Sequence, residues 1–385
     1  MDVKQVYSFV NTAQTEVLGE TSVLAEDLSN LVDIGDSLAN ANGIEQYARA
    51  LNNHIGKMIF VTRAYRGSVP GVLRDGWEFG SILEKVRAEL PAATENESWE
   101  LQDGQSYDPN IFYKPSVSVK FYNSKITFEI PASFTEKQIK QSFSNANQMN
   151  AFISMLYNEI DKSMTVKIDE LVMRAINNMI GETVYAEVGS GSISNRSGVK
   201  AVNLLYLYNT RYGTSVSAAD ALTTPEFLKF AAYQIGLYAD RLTKISKLFN
   251  VGGTAKFTPS EDRKVVFLSE FAKAIGPYTL SSAYNQEYLK LPDADTVPFW
   301  QGSGTGYALA DTGKVYLSST ASGHAITVTG VLGVMFDRDA VAVCNEDRRV
   351  TSNYNPKAEF YNYWYKFDCQ YINDLDENFV VFYVA

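Results

Sequence analysis

Two histidines, His54 and His324, are all the imidazole chemistry this chain can call on. A Ser-His-Asp relay or a His-rich metal site has little to build on. His324 follows Ser322-Gly323 and reads as a turn residue. The two cysteines, Cys344 and Cys369, show no metal-ligand spacing and exclude a disulfide framework. They are expected as free thiols in a reducing compartment. Gly302-Ser303-Gly304-Thr305-Gly306 has the composition of a phosphate loop. No Lys-Ser/Thr pair follows it, and no strand–loop–helix spacing fits. No Gly-x-Ser-x-Gly elbow occurs. Carboxylates gather at Glu95/Glu97/Glu100, at Asp337/Asp339 and at Asp374/Asp376/Glu377. Such groups can hold a cation or act as an acid–base pair, but the plainer reading is solvated loop charge. Arg348-Arg349 beside Glu346-Asp347 reads as an ion-pair cluster, local or between subunits. Arg63, Arg66, Arg74, Lys85 and Arg87 are balanced by nearby acids, which fits salt-bridged contacts better than a nucleic-acid groove. No catalytic, cofactor-binding or metal-ligating residue is expected, and no cofactor.

The elements that would position these groups centre on residues 133–181. Apolar residues recur there in steps of three and four, from Ile139, Phe143 and Ala146 through Phe152, Ile153, Leu156 and Ile160 to Leu171, Ile176 and Met179. That is the pattern of a buried helical stripe. Ser133 or Thr135 can cap its start and Gly181 can stop it. The plain alternative is two helices broken near Thr165–Ile168, where β-branched residues cluster. Residues 2–56 read as short, acidic, apolar-striped helices that need a further surface to bury against. Residues 57–114 read as a long hairpin-like excursion, with strand-like stretches at Met58–Tyr65 and Ser81–Glu89. Val117, Val119 and Phe121 then alternate within Pro115–Lys125, and Ile126–Ile130 continues extended.

Beyond the long helix, Pro225 opens a helix whose stripe runs from Phe227 to Leu248. Lys264–Leu268 reads as a buried strand. A helix from about Ser269 is expected to end near Gly276-Pro277, with a second around Ser282–Leu291. Val315–Leu317, Ala325–Thr329 and Leu332–Phe336 are strand candidates. Residues 200–345 thus suggest an α/β or α+β module. The aromatic C-terminal stretch predicts two strands, Ala358–Tyr371 and Asn378–Val384, joined by a turn at Asn373–Glu377. Their expected partner is the strand around 117–130.

Composition narrows the class. The chain is 45% hydrophobic, enough to bury a sizeable core in 385 residues. Its 24 Tyr, 21 Phe and 4 Trp favour protein interfaces. With 34 basic against 44 acidic residues the net charge is −10, which argues against a dedicated nucleic-acid binder. The first residues lack a basic leader and an apolar run, so no signal peptide is expected. The longest apolar stretch, Ala325–Phe336, is too short to span a bilayer, so no membrane partner is expected.

The order of parts resembles the Hong Kong 97-type major capsid fold of tailed bacteriophages: helical arm, extended excursion, strand, very long helix, α/β module and returning aromatic strand. Pro115–Phe121, Phe152–Ile160, and Asn355-Pro356-Lys357 followed by Phe360–Tyr365 are similar to segments of major capsid proteins from small short-tailed phages. The resemblance implies an α+β fold with an N-terminal arm at 1–56 and an E-loop at 57–114. It also implies a P domain with its spine helix at 115–200, an A domain at 201–345, and returning P-domain strands at 346–385. It implies a non-enzymatic protein that self-assembles into pentamers and hexamers, forming an icosahedral head around double-stranded DNA held without sequence specificity. Scaffolding and portal proteins would be partners, and the shell would form in the host cytoplasm and reside in the virion. Trp77, Phe79, Ile82, Arg74, Arg348 and Arg349 are then candidates for contacts between subunits. Some relatives carry an immunoglobulin-like domain after this fold; with the last residue at Ala385, none is expected here. Alternatives are an encapsulin-like compartment with the same fold, which would dock cargo near its N-terminal helices, and a carbohydrate-binding adhesin, against which the long helix argues.

Overall fold

The computed structural model describes residues 69–74, 83–91, 93–122, 125–135, 146–189, 191–280, 292–300, 314–317 and 326–385. The N-terminal arm, both histidines, the 302–306 glycine run, the 282–291 helix expectation, and Trp77, Phe79 and Ile82 lie outside these residues. In chain order the elements are β1 (Leu73–Arg74), β2 (Leu83–Ala88), β3 (Val117–Tyr122), β4 (Lys125–Thr135), α1 (Ala146–Val188), β5 (Ala201–Asn203), α2 (Leu204–Tyr212), α3 (Pro225–Leu242), β6 (Arg263–Leu268), α4 (Ser269–Leu280), β7 (Asp295–Val297), β8 (Lys314–Leu317), β9 (Ile326–Thr329), β10 (Val331–Asp337), β11 (Val341–Asn355), β12 (Phe360–Asn373) and β13 (Phe379–Tyr383).

The long helix is one unbroken rod of 43 residues, about 65 Å at ~1.5 Å per residue. Its ends differ from the sequence expectation. Ser133 and Thr135 belong to β4 and pair with Asn362 and Phe360 of β12, so they cap nothing. The helix also runs through Gly181 to Val188. A glycine inside a helix costs only about 1 kcal/mol against alanine, and the flanking Ile180, Thr183 and Val184 are all buried. The terminator is Gly189, in the left-handed region at φ +63°. Its N–H closes the last turn onto the Tyr185 carbonyl at 2.7 Å. The β-branched cluster at 165–168 makes no break, because Ile168 is anchored in the core.

From Leu171 onward the rod is buried on nearly every side: Leu171, Val172, Met173, Ala175, Ile176, Asn177, Met179 and Ile180 are all inaccessible. A single stripe cannot explain that; a helix apolar all round lies inside a core. Here the rod packs against both major sheets. One is four-stranded, in the order β1-β11-β12-β4, and the other is five-stranded, in the order β5-β13-β10-β6-β7. The core of the molecule is the apolar space shared by these three bodies.

In the four-stranded sheet, β12 lies between β11 and β4, antiparallel to both. The predicted aromatic alternation holds, with Tyr361, Tyr363, Tyr365 and Phe367 turned inward and Phe367 stacked on Phe128 at 5.2 Å. Of the expected 117–130 partner only β4 pairs with β12; β3 pairs elsewhere. The two C-terminal strands also part company. β12 stays in this sheet, whereas β13 enters the five-stranded sheet between β10 and β5. The 15-residue β11 was not foreseen, because the charged run Glu346–Arg349 interrupts its alternation. The register slips there, between Asn345 and Arg348.

The module after the rod contains the expected strands β6, β8, β9 and β10. Helix α3 starts at Pro225 as predicted but stops at Leu242, leaving Ile245 and Leu248 exposed in a loop. Helix α4 passes through Gly276-Pro277 to Leu280. A proline removes one backbone donor without forbidding a last turn.

Candidate assembly surface

β2 and β3 form a two-stranded antiparallel ribbon that pairs with no other described strand. This pairing carries the ribbon on to Tyr122, past the 57–114 stretch expected for the excursion. Its register places Lys85 opposite Lys120 and Arg87 opposite Ser118 on one face. Glu84 opposite Phe121, Val86 opposite Val119, and Ala88 opposite Val117 occupy the other. The two faces meet different environments. The apolar face is bare, from 44% exposed at Val119 to 65% at Phe121. The strand alternation expected at Val117, Val119 and Phe121 is present, and within one subunit its apolar face is exposed. An alternation marks a face that needs cover without saying which molecule supplies it. Beyond the ribbon, Trp99, Phe112 and Tyr113 are still more exposed, Trp99 at 95%.

The basic face meets the turn between β12 and β13. Lys85 Nζ donates to Asp374 Oδ2 and Glu377 Oε1, both at 2.7 Å. Arg87 donates to Asp376 Oδ2 at 3.3 Å and to Glu377 Oε1 at 3.2 Å. Lys120 reaches Asp374 at 3.3 Å and also pairs with Asp376. From the other side Lys256 donates to Glu377 at 2.8 Å. Asp374 and Glu377 are buried. The reading of these three acids as solvated loop charge is thus corrected. They sit under cations because a buried carboxylate without a partner costs far more than a paired one.

Burial works against the ionised form of Asp374. The hydrogen bond and charge of Lys85, the Asp376 amide and the Lys120 charge outweigh it and hold the carboxyl down at about 2. Burial likewise disfavours charged Lys85, and its bonds to Asp374 and Glu377 more than offset this, so its pKa is raised. Burial pushes the neighbouring Tyr122 hydroxyl up, aided by the Asp374 charge.

A pH dependence follows. A carboxyl depressed in the folded state stabilises fully above its unfolded value, and that stabilisation is lost as pH falls towards the folded value. Asp374 is faced by Lys85, Arg87, Lys120, Tyr122, Asp376 and Glu377. Its contribution of about 2 kcal/mol is expected to stay constant from pH 8 to 5 and to fade from about pH 4 towards 2. Asp339 and Asp368 are also lowered and act in the same sense. Asp337 is raised by burial and acts in the opposite sense. Urea midpoints at stepped pH check this. An Asp374→Asn subunit should show a shallower acid limb than the parent.

The remaining candidates occupy separate places. Arg74, in β1, donates to the Arg338 carbonyl at 2.8 Å and pairs with Asp339. Arg349, in β11, grips Asp368 with both terminal nitrogens, at 2.6 and 3.3 Å. Asp368 also accepts from Thr127 at 2.6 Å, with Lys125 at 3.5 Å. Arg348 is half-buried opposite Phe367. The structure therefore does not gather Arg74, Arg348 and Arg349 into one site. Asp337 is likewise not a solvated loop charge; it is buried and accepts from Thr258 at 2.8 Å. Glu95 and Glu100 are exposed, as read. Among the described residues no group of three or more His, Cys, Asp and Glu is arranged to hold a metal ion. Among them, too, no helix is long and apolar enough to cross a membrane.

Sequence reasoning missed the apolar ribbon face and the acidic turn as partners of one hairpin. The alternation in 83–88 and 117–121 was a usable signal for a two-faced ribbon; nothing local linked it to residue 374.

This arrangement of a long rod against two sheets, with an outlying ribbon, has counterparts. A chain of the capsid structure of Staphylococcus phage Andhra is 12% identical with a TM-score of 0.50, over 81% of this chain and 82% of that one. A chain from a structure of native bacteriophage P68 that describes its head fiber and inner core protein is 10% identical with a TM-score of 0.51, over 83% and 85%. At such identities the likeness concerns the fold, which is the mixed helix-and-sheet fold of phage capsid subunits. The profile of the family described as Phi29-like phage major capsid protein matches residues 10–383, nearly the whole chain. The chain belongs to that family: it is a structural protein that self-assembles into the capsid shell of a bacteriophage. No curated protein matches it.

Proposed function

We propose that this subunit builds an icosahedral head of pentamers and hexamers in the Hong Kong 97-type manner, with each excursion lying across a neighbouring subunit. In this reading residues 1–56 are the N-terminal arm, and the E-loop is the 57–114 excursion continued to the end of β3. The P domain is the four-stranded sheet with α1 as its spine. The A domain is the 201–345 module, completed by β13. The observation that carries the reading is the ribbon's bare apolar face at Val86, Val117, Val119 and Phe121. A contiguous apolar surface on an outlying, otherwise polar ribbon is a contact surface awaiting cover, and a shell of identical copies supplies it. Trp77, Phe79 and Ile82 belong to the same excursion and are assigned to the same contact. Arg74 and Arg349 already have partners in their own subunit, so their part between subunits is a shared one.

The head encloses double-stranded DNA without sequence specificity, consistent with a net charge of −10 that avoids gripping phosphates. Scaffolding and portal proteins are the expected partners, assembly takes place in the host cytoplasm, and the protein has no enzymatic role. Negative-stain electron microscopy of the expressed chain, alone and with its neighbouring gene, tests the reading. Uniform closed shells or tubes are expected. A monodisperse monomer under every condition would overturn it.

A further inference from the structure

The Asp374–Glu377 turn is the crossover from β12 in the four-stranded sheet to β13 in the five-stranded sheet. Three separate parts of the molecule converge on it. The first is the basic face of the ribbon, through Lys85, Arg87 and Lys120. The second is the 243–258 loop. Its Lys256 pairs with Glu377, its Gly252 N–H donates to the Leu375 carbonyl at 2.8 Å, and its Thr254 hydroxyl donates to the Asp376 carbonyl at 2.8 Å. A side chain at position 252 would meet the Asp376 carboxylate, which would have to shift to admit it. The third is the end of β10, where the Asp337 N–H donates at 2.9 Å to the carbonyl of Asn378, the residue after the turn, and the Asp337 carboxylate accepts from Thr258 of that loop.

Among the described residues the ribbon shares no ladder with either sheet, and an isolated two-stranded ribbon has little stability of its own. Backbone pairing therefore leaves its direction open. Four cations meeting three carboxylates, two of them buried, supply what the ladder does not. We infer that this cluster is an ionic clasp within one subunit. It fixes the direction in which the excursion leaves the body, and it ties that direction to the angle between the two sheets. Any shift of one sheet against the other moves the crossover turn, and the carboxylates carry the ribbon with them. Charge pairs hold tightly at ~3 Å and weaken over a few ångströms of displacement or in strong salt, so such a clasp can be re-aimed without unfolding either sheet. Only its consequence for assembly rests on the proposed contact between the excursion and a neighbour; the clasp itself does not.

The test is a pulsed electron-spin distance measurement on the full-length subunit under non-assembling conditions. Spin labels go on Ser98→Cys in the excursion and Ser260→Cys on the body, both exposed positions. Cys344 and Cys369 are buried and stay unlabelled. The parent should give one narrow distance distribution. Lys85→Met, and separately the pair Lys120→Met and Asp376→Asn, should each at least double its width with the thermal transition retained. The charge exchange Lys120→Asp with Asp376→Lys should narrow it again. About 1 M salt should broaden the parent and leave Lys85→Met unchanged. If Lys85→Met does not fold, the Lys120 and Asp376 variants carry the same comparison. A broad parent, or a narrow distribution in every folded variant, overturns the clasp. Failure of the assembly reading looks different: a Phe121→Asp subunit would then form normal shells while its distance distribution stays narrow.

Discussion

An Ile176→Asp subunit is expected in the insoluble fraction, without a cooperative thermal transition, under conditions that yield soluble parent. Ile176 sits mid-rod with no accessible surface, between Ala175 and Asn177, which are also enclosed. The rod is flanked by both major sheets, so no rotation of the helix brings this position to water. An unpaired carboxylate there either stays charged, at a cost of several kcal/mol even after relaxation, or is neutral and loses the packing of the isoleucine, about 2–5 kcal/mol. Either figure consumes most of a typical domain's ~5–15 kcal/mol. An Ile176→Val subunit, which deletes one methylene, should fold and lose only about 0.5–1.5 kcal/mol. Recovery of soluble, cooperatively melting Ile176→Asp protein would mean that the rod is not the shared core of the two sheets.

The second large effect is the opposite in kind. A Phe121→Asp subunit should melt with a stability within about 0.5 kcal/mol of the parent, because the ring already faces solvent. It should nevertheless fail to form shells. The concentration at which light scattering first reports assembly is expected to rise at least tenfold, the equivalent of ~1.4 kcal/mol per contact. The charge forces a carboxylate into the apolar surface that the ribbon presents, and every subunit repeats the defect. Val119→Asp, on the same face, should behave alike, whereas a substitution of exposed Lys162, paired with Glu159 on the same helix, should not. Normal shells from both ribbon variants would remove the ribbon from the assembly contact.

These two outcomes separate features of unequal visibility in the sequence. The rod was legible because its signal is local: a 3.6-residue period sustained over dozens of residues, together with the order of strands around it. Even so, its ends were misplaced. Ser133 and Thr135 have the chemistry of helix caps, but pairing with β12 draws them into a strand, and Gly181 stays helical because its surroundings are buried. The aromatic C-terminus was legible as two strands and a turn, since alternation is also local. That the two strands serve different sheets was not.

The sequence by itself determined the class of part this protein is. A helical period sustained over dozens of residues, an aromatic alternation near the C-terminus and the order of the parts together resemble the building unit of a phage capsid. Each follows from residue type or short-range period, which a linear reading preserves. Tertiary structure alone decided how the unit is held and aimed. Lys85 and Asp374 are separated by 289 positions, and neither the spacing nor the residue types announce their pairing. A pairing register likewise decides which face of the ribbon carries Val86, Val119 and Phe121 and which carries Lys85 and Lys120. Burial and charge pairing over such separations depend on where the chain has already been brought, so they exist only once the two sheets have closed on the rod.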